Sequence, residues 1–113
     1  MCIRIVSLSI KPKEVLELLM RDVDGDLIHH EYHEIEDDIG FGYVVIEKFY
    51  TMPKHEKMIV VNTENLDHIT NATIIVTPDY EEWVYHFDLE SYDVCMDEIM
   101  EILDEYILEE REE

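Results

Sequence analysis

Apolar positions recur along the chain with two different periods. From Cys2 to Ile10 the residues are mainly β-branched and aliphatic, and Pro12 then stands ahead of Val15, Leu16, Leu18, Leu19 and Met20. Proline suits the first turn of a helix, where its missing N–H costs nothing, so the pattern predicts a strand and then a helix. The turn-forming run Asp22-Val23-Asp24-Gly25-Asp26 ends that helix. Residues 27–39, which begin LIHHEYHEIEDD, have no clean period, and helix, strand and loop are all open for them. From Gly40 the character is that of strands: GFGYVVIEKFYT, then KMIVVNTE after the PKHE break, then ATIIVT after NLDHITN. Trp83, Tyr85, Phe87 and Leu89 alternate with Val84, His86, Asp88 and Glu90, which predicts another strand with one aromatic face. Ser91 or Asp93 can cap a final helix, and Met96, Ile99, Met100, Leu103, Tyr106 and Ile107 follow at three- and four-residue spacings. The expected fold is α+β: an antiparallel sheet of about five strands in the order β-α-[undetermined segment]-β-β-β-β-α, with helices packed on one face.

Length and composition bound this picture. A chain of 113 residues is one domain, 1–113, with room for a single core. Hydrophobic residues make up 47%, an ordinary share, so the charge has not displaced the residues that drive folding. That charge is extreme: 29 Asp and Glu against 8 Lys and Arg, a formal net of -21. No run approaches the roughly 20 apolar residues of a membrane span, and the first residues lack the features of a secretory signal, so a cytoplasmic location and no membrane partner are expected. Cys2 and Cys95 are too few to suggest a disulfide framework.

The charge is unevenly placed. Through Lys57 there are 12 acidic and 7 basic residues, a net of -5; from Met58 onward there are 17 acidic residues and Arg111 alone, a net of -16. If the terminal helix runs to the end, Asp97, Glu101, Glu105, Glu109 and Glu113 line up at four-residue spacing, flanked by Glu98 and Asp104. Each like-charge pair opposes the helix by roughly 0.2 to 0.5 kcal/mol, and the last glutamates meet the negative end of the helix dipole. The apolar face can outweigh this, since one buried Leu contributes roughly 1.5 to 3 kcal/mol, except at the tail, where residues 108–113 are expected to fray. A solvated helix face is one reading of the row. The other is imitation of a nucleic-acid backbone, because four helical residues rise about 6 Å, close to two steps of roughly 3.4 Å along one DNA strand. In size, charge and acidic terminal helix the chain resembles DNA-mimic inhibitors such as phage anti-restriction and anti-CRISPR proteins. That resemblance implies a basic partner, a DNA- or RNA-handling enzyme, and no direct binding of nucleic acid. Asp97, Glu98, Glu101, Asp104, Glu105 and Glu109 would then make the contact.

Other chemistry is sparser. Asp22, Asp24 and Asp26 suggest a calcium loop, but Gly25 comes too early for an EF-hand and His33 occupies the position of its final Glu. His29, His30 and His33, with Glu31 and Glu34, form the densest set of transition-metal ligand types. On a helix His29 and His33 would share a face as a candidate metal pair; on a strand His29, Glu31 and His33 would share one side. No Ser or Cys has a recognisable nucleophile setting, and three glycines form no phosphate-binding loop. Phe41, Tyr43, Phe49, Tyr50, Trp83, Tyr85 and Phe87 could line a pocket between the sheet and the terminal helix, and the element order resembles a shortened helix-grip fold. The expectation is a non-enzymatic acidic binding protein without a cofactor, with a small-ligand or metal-binding domain as the alternative and a homodimer through a sheet edge or helix also open.

Overall fold

The computed structural model describes residues 2–50, 55–78 and 89–112. Strand β1 (Cys2–Leu8) leads into helix α1 (Pro12–Asp22), and four strands follow: β2 (Asp26–Glu36), β3 (Ile39–Tyr50), β4 (His55–Glu64) and β5 (Thr70–Pro78). Helix α2 (Leu89–Leu103), a 3₁₀ turn (Asp104–Tyr106) and strand β6 (Ile107–Glu112) complete the described chain. The fold is α+β, with two helices packed against one antiparallel sheet of six strands in the order β2-β3-β4-β5-β1-β6. The strand expected over Trp83 to Leu89 falls mostly outside the described residues. No helix among the described residues is long and apolar enough to cross a membrane.

Strand alternation and register place the core on one face. Val44 and Ile46 of β3 stand opposite Val61 and Ile59 of β4, which stand opposite Ile74 and Val76 of β5; Ala72 of β5 stands opposite Val6 of β1. All are buried together with Val15, Leu16 and Leu19 of α1 and Cys95, Met96, Ile99 and Leu103 of α2. Those helical spacings give each helix one apolar stripe against the sheet. Pro12 opens α1, and the Glu14 carboxylate accepts from the Lys11 N–H at 3.3 Å, satisfying a donor the helix cannot. Gly42 is fixed by close approach: a Cβ there would lie 2.3 Å from the Glu31 carbonyl oxygen and 2.9 Å from Leu16 Cδ1. Both the β2–β3 pairing and the seat of α1 require its absence.

One open segment is now assigned, and one expectation is corrected. Residues 27–39 are strand, tight turn and the start of β3; β2 has no legible period because it lies at the sheet edge and is exposed on both faces along most of its length. The terminal helix stops at Leu103, and residues expected to extend it and fray form β6, paired antiparallel with β1. The charge pattern supplies the physical reason. A continued helix would stack glutamates at four-residue spacing against the negative end of its dipole. As a strand, the same residues pair with the β1 backbone, and Glu110 meets Arg4 at 2.8 Å.

Phe41 and Tyr43 also depart from expectation. They alternate with the buried Gly42 and Val44, and their register partners include Glu31 and His33, so they lie on the face away from the helices. Among the described residues the fully buried hydrophobic core between sheet and helices is aliphatic or sulfur-bearing, with Tyr32 and Tyr106 packed at its margin. The side chains of Phe49 and Tyr50, and residues 83 to 87, lie outside what is described.

Candidate functional site

Ending α2 at Leu103 breaks the carboxylate row into parts. Asp97 and Glu101 remain one turn apart and exposed on α2, and Asp104 and Glu105 follow, exposed, on the 3₁₀ turn. Glu109 lies on β6 opposite Ser7, whose neighbours in register place it on the helix-free face. It therefore points away from the other four. Glu113 falls outside the described residues.

Glu98 turns inward. Its Oε2 lies 2.6 Å from Lys48 Nζ, and Lys48 also donates to the Asp24 carbonyl at 2.9 Å. Lys48 is 8% exposed and stands opposite Lys57, which is 1% exposed, so two lysines lie side by side on the helix-facing side of the sheet. Lys48 continues the buried alternation of Val44 and Ile46, a signal already present in GFGYVVIEKFYT. Asp97, Glu101 and Asp104 make no ion pair or side-chain hydrogen bond among the described residues.

Carboxylates of α1 border the same end of α2. Glu14, Glu17, Leu18, Arg21 and Tyr106 line a shallow depression of about 330 Å³. Tyr106 is held above its ordinary pKa, first by its hydrogen bond to Glu105 and then by the charges of Glu105 and Glu14, with Arg21 opposing. Arg21 pairs with Asp22 at 2.7 Å. The result is an acidic patch across α1 and the 3₁₀ turn that follows α2.

A second cluster sits on β2. His29, Glu31 and His33 share the face away from the helices, with Nε2 of His29 and His33 at 3.4 and 3.6 Å from different oxygens of Glu31. Tyr43 donates its hydroxyl to Glu31 from the next strand. That hydrogen bond, followed by the His29 contact, holds the Glu31 carboxyl below its ordinary pKa and pushes the Tyr43 phenol up. The imidazoles bracket the carboxylate from opposite sides without converging on a point, and no three His, Cys, Asp or Glu side chains among the described residues form a metal-binding group. His29 and His33 thus share a strand face and not a helix face. Asp22, bound to Arg21, does not join Asp24 and Asp26 in a calcium loop. Cys2 and Cys95 are free thiols.

An open depression of about 630 Å³ lies at the end of the sheet, lined by Ser9, Lys11, Asp38, Asn65, His68 and Leu108 among others. Lys11 and Asp38 pair across it at 2.8 Å. Beneath, Asn65 accepts from the Gly40 N–H at 2.9 Å and donates to the Asp38 carbonyl at 2.6 Å, tying the β2–β3 turn to the loop after β4. Asp38, at φ 65°, takes the left-handed conformation that this tight turn demands. No protein family, curated protein or solved structure matches the chain.

Proposed function

We propose that this chain is a non-enzymatic acidic binding protein whose carboxylates on α2 and the adjoining turn occupy a basic surface on a partner protein. One observation carries the reading: Asp97, Glu101 and Asp104 face solvent with no cation beside them among the described residues, while Glu98 on the same helix is turned inward to Lys48. Unpaired, exposed carboxylates can release their counterions and accept Lys and Arg side chains at small desolvation cost. Asp97 and Glu101 are separated by about 6 Å of helix rise, near two phosphate steps, and Asp104, Glu105, Glu14 and Glu17 widen the charge into a patch. A patch of this extent substitutes for a short stretch of nucleic-acid backbone, so the partner is a protein that binds DNA or RNA. Glu98 and Glu109 contribute little to the contact, one through its bond to Lys48 and the other through its position on the opposite face.

The test uses the immobilised full chain, a salt gradient and duplex DNA as competitor. Capture of nucleic-acid-binding proteins that elute with salt, compete with DNA and are lost in the double variant Asp97→Lys/Glu101→Lys is the expected result. Equal capture by the variant, or capture that DNA does not displace, overturns the reading.

A further inference from the structure

The two edges of the sheet are protected differently. β6 carries Glu109, Glu110 and Glu112 beside Arg111 among its six residues and no histidine to face them, which disfavours pairing with another copy of so acidic a chain. β2, at the other edge, is 11 residues long, is paired only to β3 among the described residues, lacks Lys and Pro, and intersperses its acidic Asp26, Glu31, Glu34 and Glu36 with His29, His30 and His33. Bulges at Ile28 and Ile35 bound a regular stretch from His29 to Glu34, and both isoleucines are more than half exposed, at 52% and 57%. An exposed strand of this length presents a row of backbone donors and acceptors to anything that can extend the sheet.

We propose that the occupant is a second copy of this chain, joined β2 to β2 in antiparallel register centred on Tyr32. Charge selects this register. A two-fold axis normal to the sheet keeps each face continuous, so a residue must oppose one of the same parity within the regular stretch. The two registers that align five residues of that stretch are centred on Glu31 and on Tyr32. Centring on Glu31 sets the Glu31 carboxylates of the two copies against each other, which is unfavourable. Centring on Tyr32 sets His30 against Glu34 and Glu31 against His33 of the second copy, and the two-fold repeats both pairs. Both glutamates of the regular stretch, Glu31 and Glu34, then face an imidazole of the second copy, which can donate to them.

Glu31 is arranged for this before association. Tyr43 and the two flanking imidazoles already hold its carboxylate on the helix-free face, so little side-chain freedom is lost when His33 of the second copy arrives. The assembly closes as a dimer with a continuous twelve-stranded sheet and an acidic β6 at each end, whereas pairing β2 to β6 would propagate without closing. This surface is distinct from the carboxylate patch on α2, so the two proposals stand or fall separately.

Sedimentation of the full chain at about 0.15 M salt, where long-range repulsion is screened beyond about 8 Å, should show its mass rising with concentration from 13.5 kDa to twice that value. His30→Glu and Glu34→Lys, both at exposed positions, should each weaken self-association at least tenfold. Mixing the two variants should restore it, because the introduced glutamate of one copy then faces the introduced lysine of the other. Tyr32→Cys should form a disulfide-linked dimer on oxidation and Glu31→Cys should not, because only position 32 meets itself. A monomer at every concentration, a dimer that neither charge variant weakens, or cross-linking at position 31 in place of 32 overturns the proposal. The mixing experiment decides the matter even if Tyr32→Cys fails to fold.

Discussion

Replacing Glu98 by Gln should destabilise the protein more than replacing Lys48 by Met, although both changes remove the same 2.6 Å ion pair. The asymmetry follows from burial. Lys48 has a side chain 10% exposed, while that of Glu98 is 39% exposed. Glu98→Gln takes the Glu98 counter-charge from the Lys48 ammonium in a low-dielectric layer, next to Lys57 across the β3–β4 ladder. Removing one partner of a fully buried pair costs about 3 to 5 kcal/mol; with one partner reached by water the cost falls to about 1 to 2 kcal/mol. Lys48→Met leaves the Glu98 carboxylate where water can solvate it, and Asp24, whose carbonyl loses a donor, is exposed. An apolar replacement of similar length in that layer should be neutral within about 1 kcal/mol. For 113 residues an unfolding entropy of about 2.1 cal/mol/K per residue converts 1 kcal/mol into about 4 °C of Tm. Thermal unfolding should therefore place Glu98→Gln about 4 to 8 °C below the parent and Lys48→Met within about 4 °C of it. A larger loss in Lys48→Met would contradict this account, because the pair would then be a net stabiliser in spite of desolvation. The same measurement bears on function: Glu98→Gln should change stability and leave partner capture intact, the reverse of Asp97→Lys/Glu101→Lys.

Truncation after Tyr106 removes β6 and its five register pairs with β1, and should cost on the order of 2 to 5 kcal/mol while exposing the β1 amides to hydrogen exchange; unchanged exchange would mean that the segment is a frayed tail. Asn65→Ala strips the buried Gly40 N–H of its acceptor and the Asp38 carbonyl of a donor, for an expected loss of about 1 to 3 kcal/mol in chemical denaturation, with a change under about 0.5 kcal/mol counting against a clamp. Tyr43→Phe should raise the Glu31 pKa, followed by NMR, back toward its ordinary 4.5. Because the folded Glu31 pKa is lowered and the folded Tyr43 pKa raised, the stability their bond contributes is present between 4.5 and 10.0, falling away in acid through the lowered Glu31 value and in base through the raised Tyr43 value. An unmoved Glu31 titration in Tyr43→Phe would show that the hydroxyl is not the cause.

Wherever one face of an element is buried, its identity is legible in the chain. The alternation Val44, Ile46, Lys48 and the helical spacing of Val15, Leu16 and Leu19 each encode a core face, and the register joins those faces into one layer. Residues 27–39 are opaque for the complementary reason: a strand exposed on both sides is under no pressure to alternate, so His29, Glu31 and His33 carry no pattern that marks a strand. Residues 104–112 mislead because Tyr106 and Ile107 continue the helical spacing of Met96, Ile99 and Leu103. Both are partly buried, but they pack against the core from a turn and a strand.

Periodicity and charge are properties of the chain itself, and they were enough to fix the class of the fold, much of its core and the acidity of its second half. Which carboxylates share a surface depends instead on the folded arrangement. A strand edge left open along β1 offered residues 107–112 a partner that a helix could not, and Lys48 beneath α2 drew Glu98 inward from the exposed row. Both outcomes rest on groups distant in sequence, Arg4 with Glu110 and Lys48 with Glu98, whose meeting no local spacing encodes.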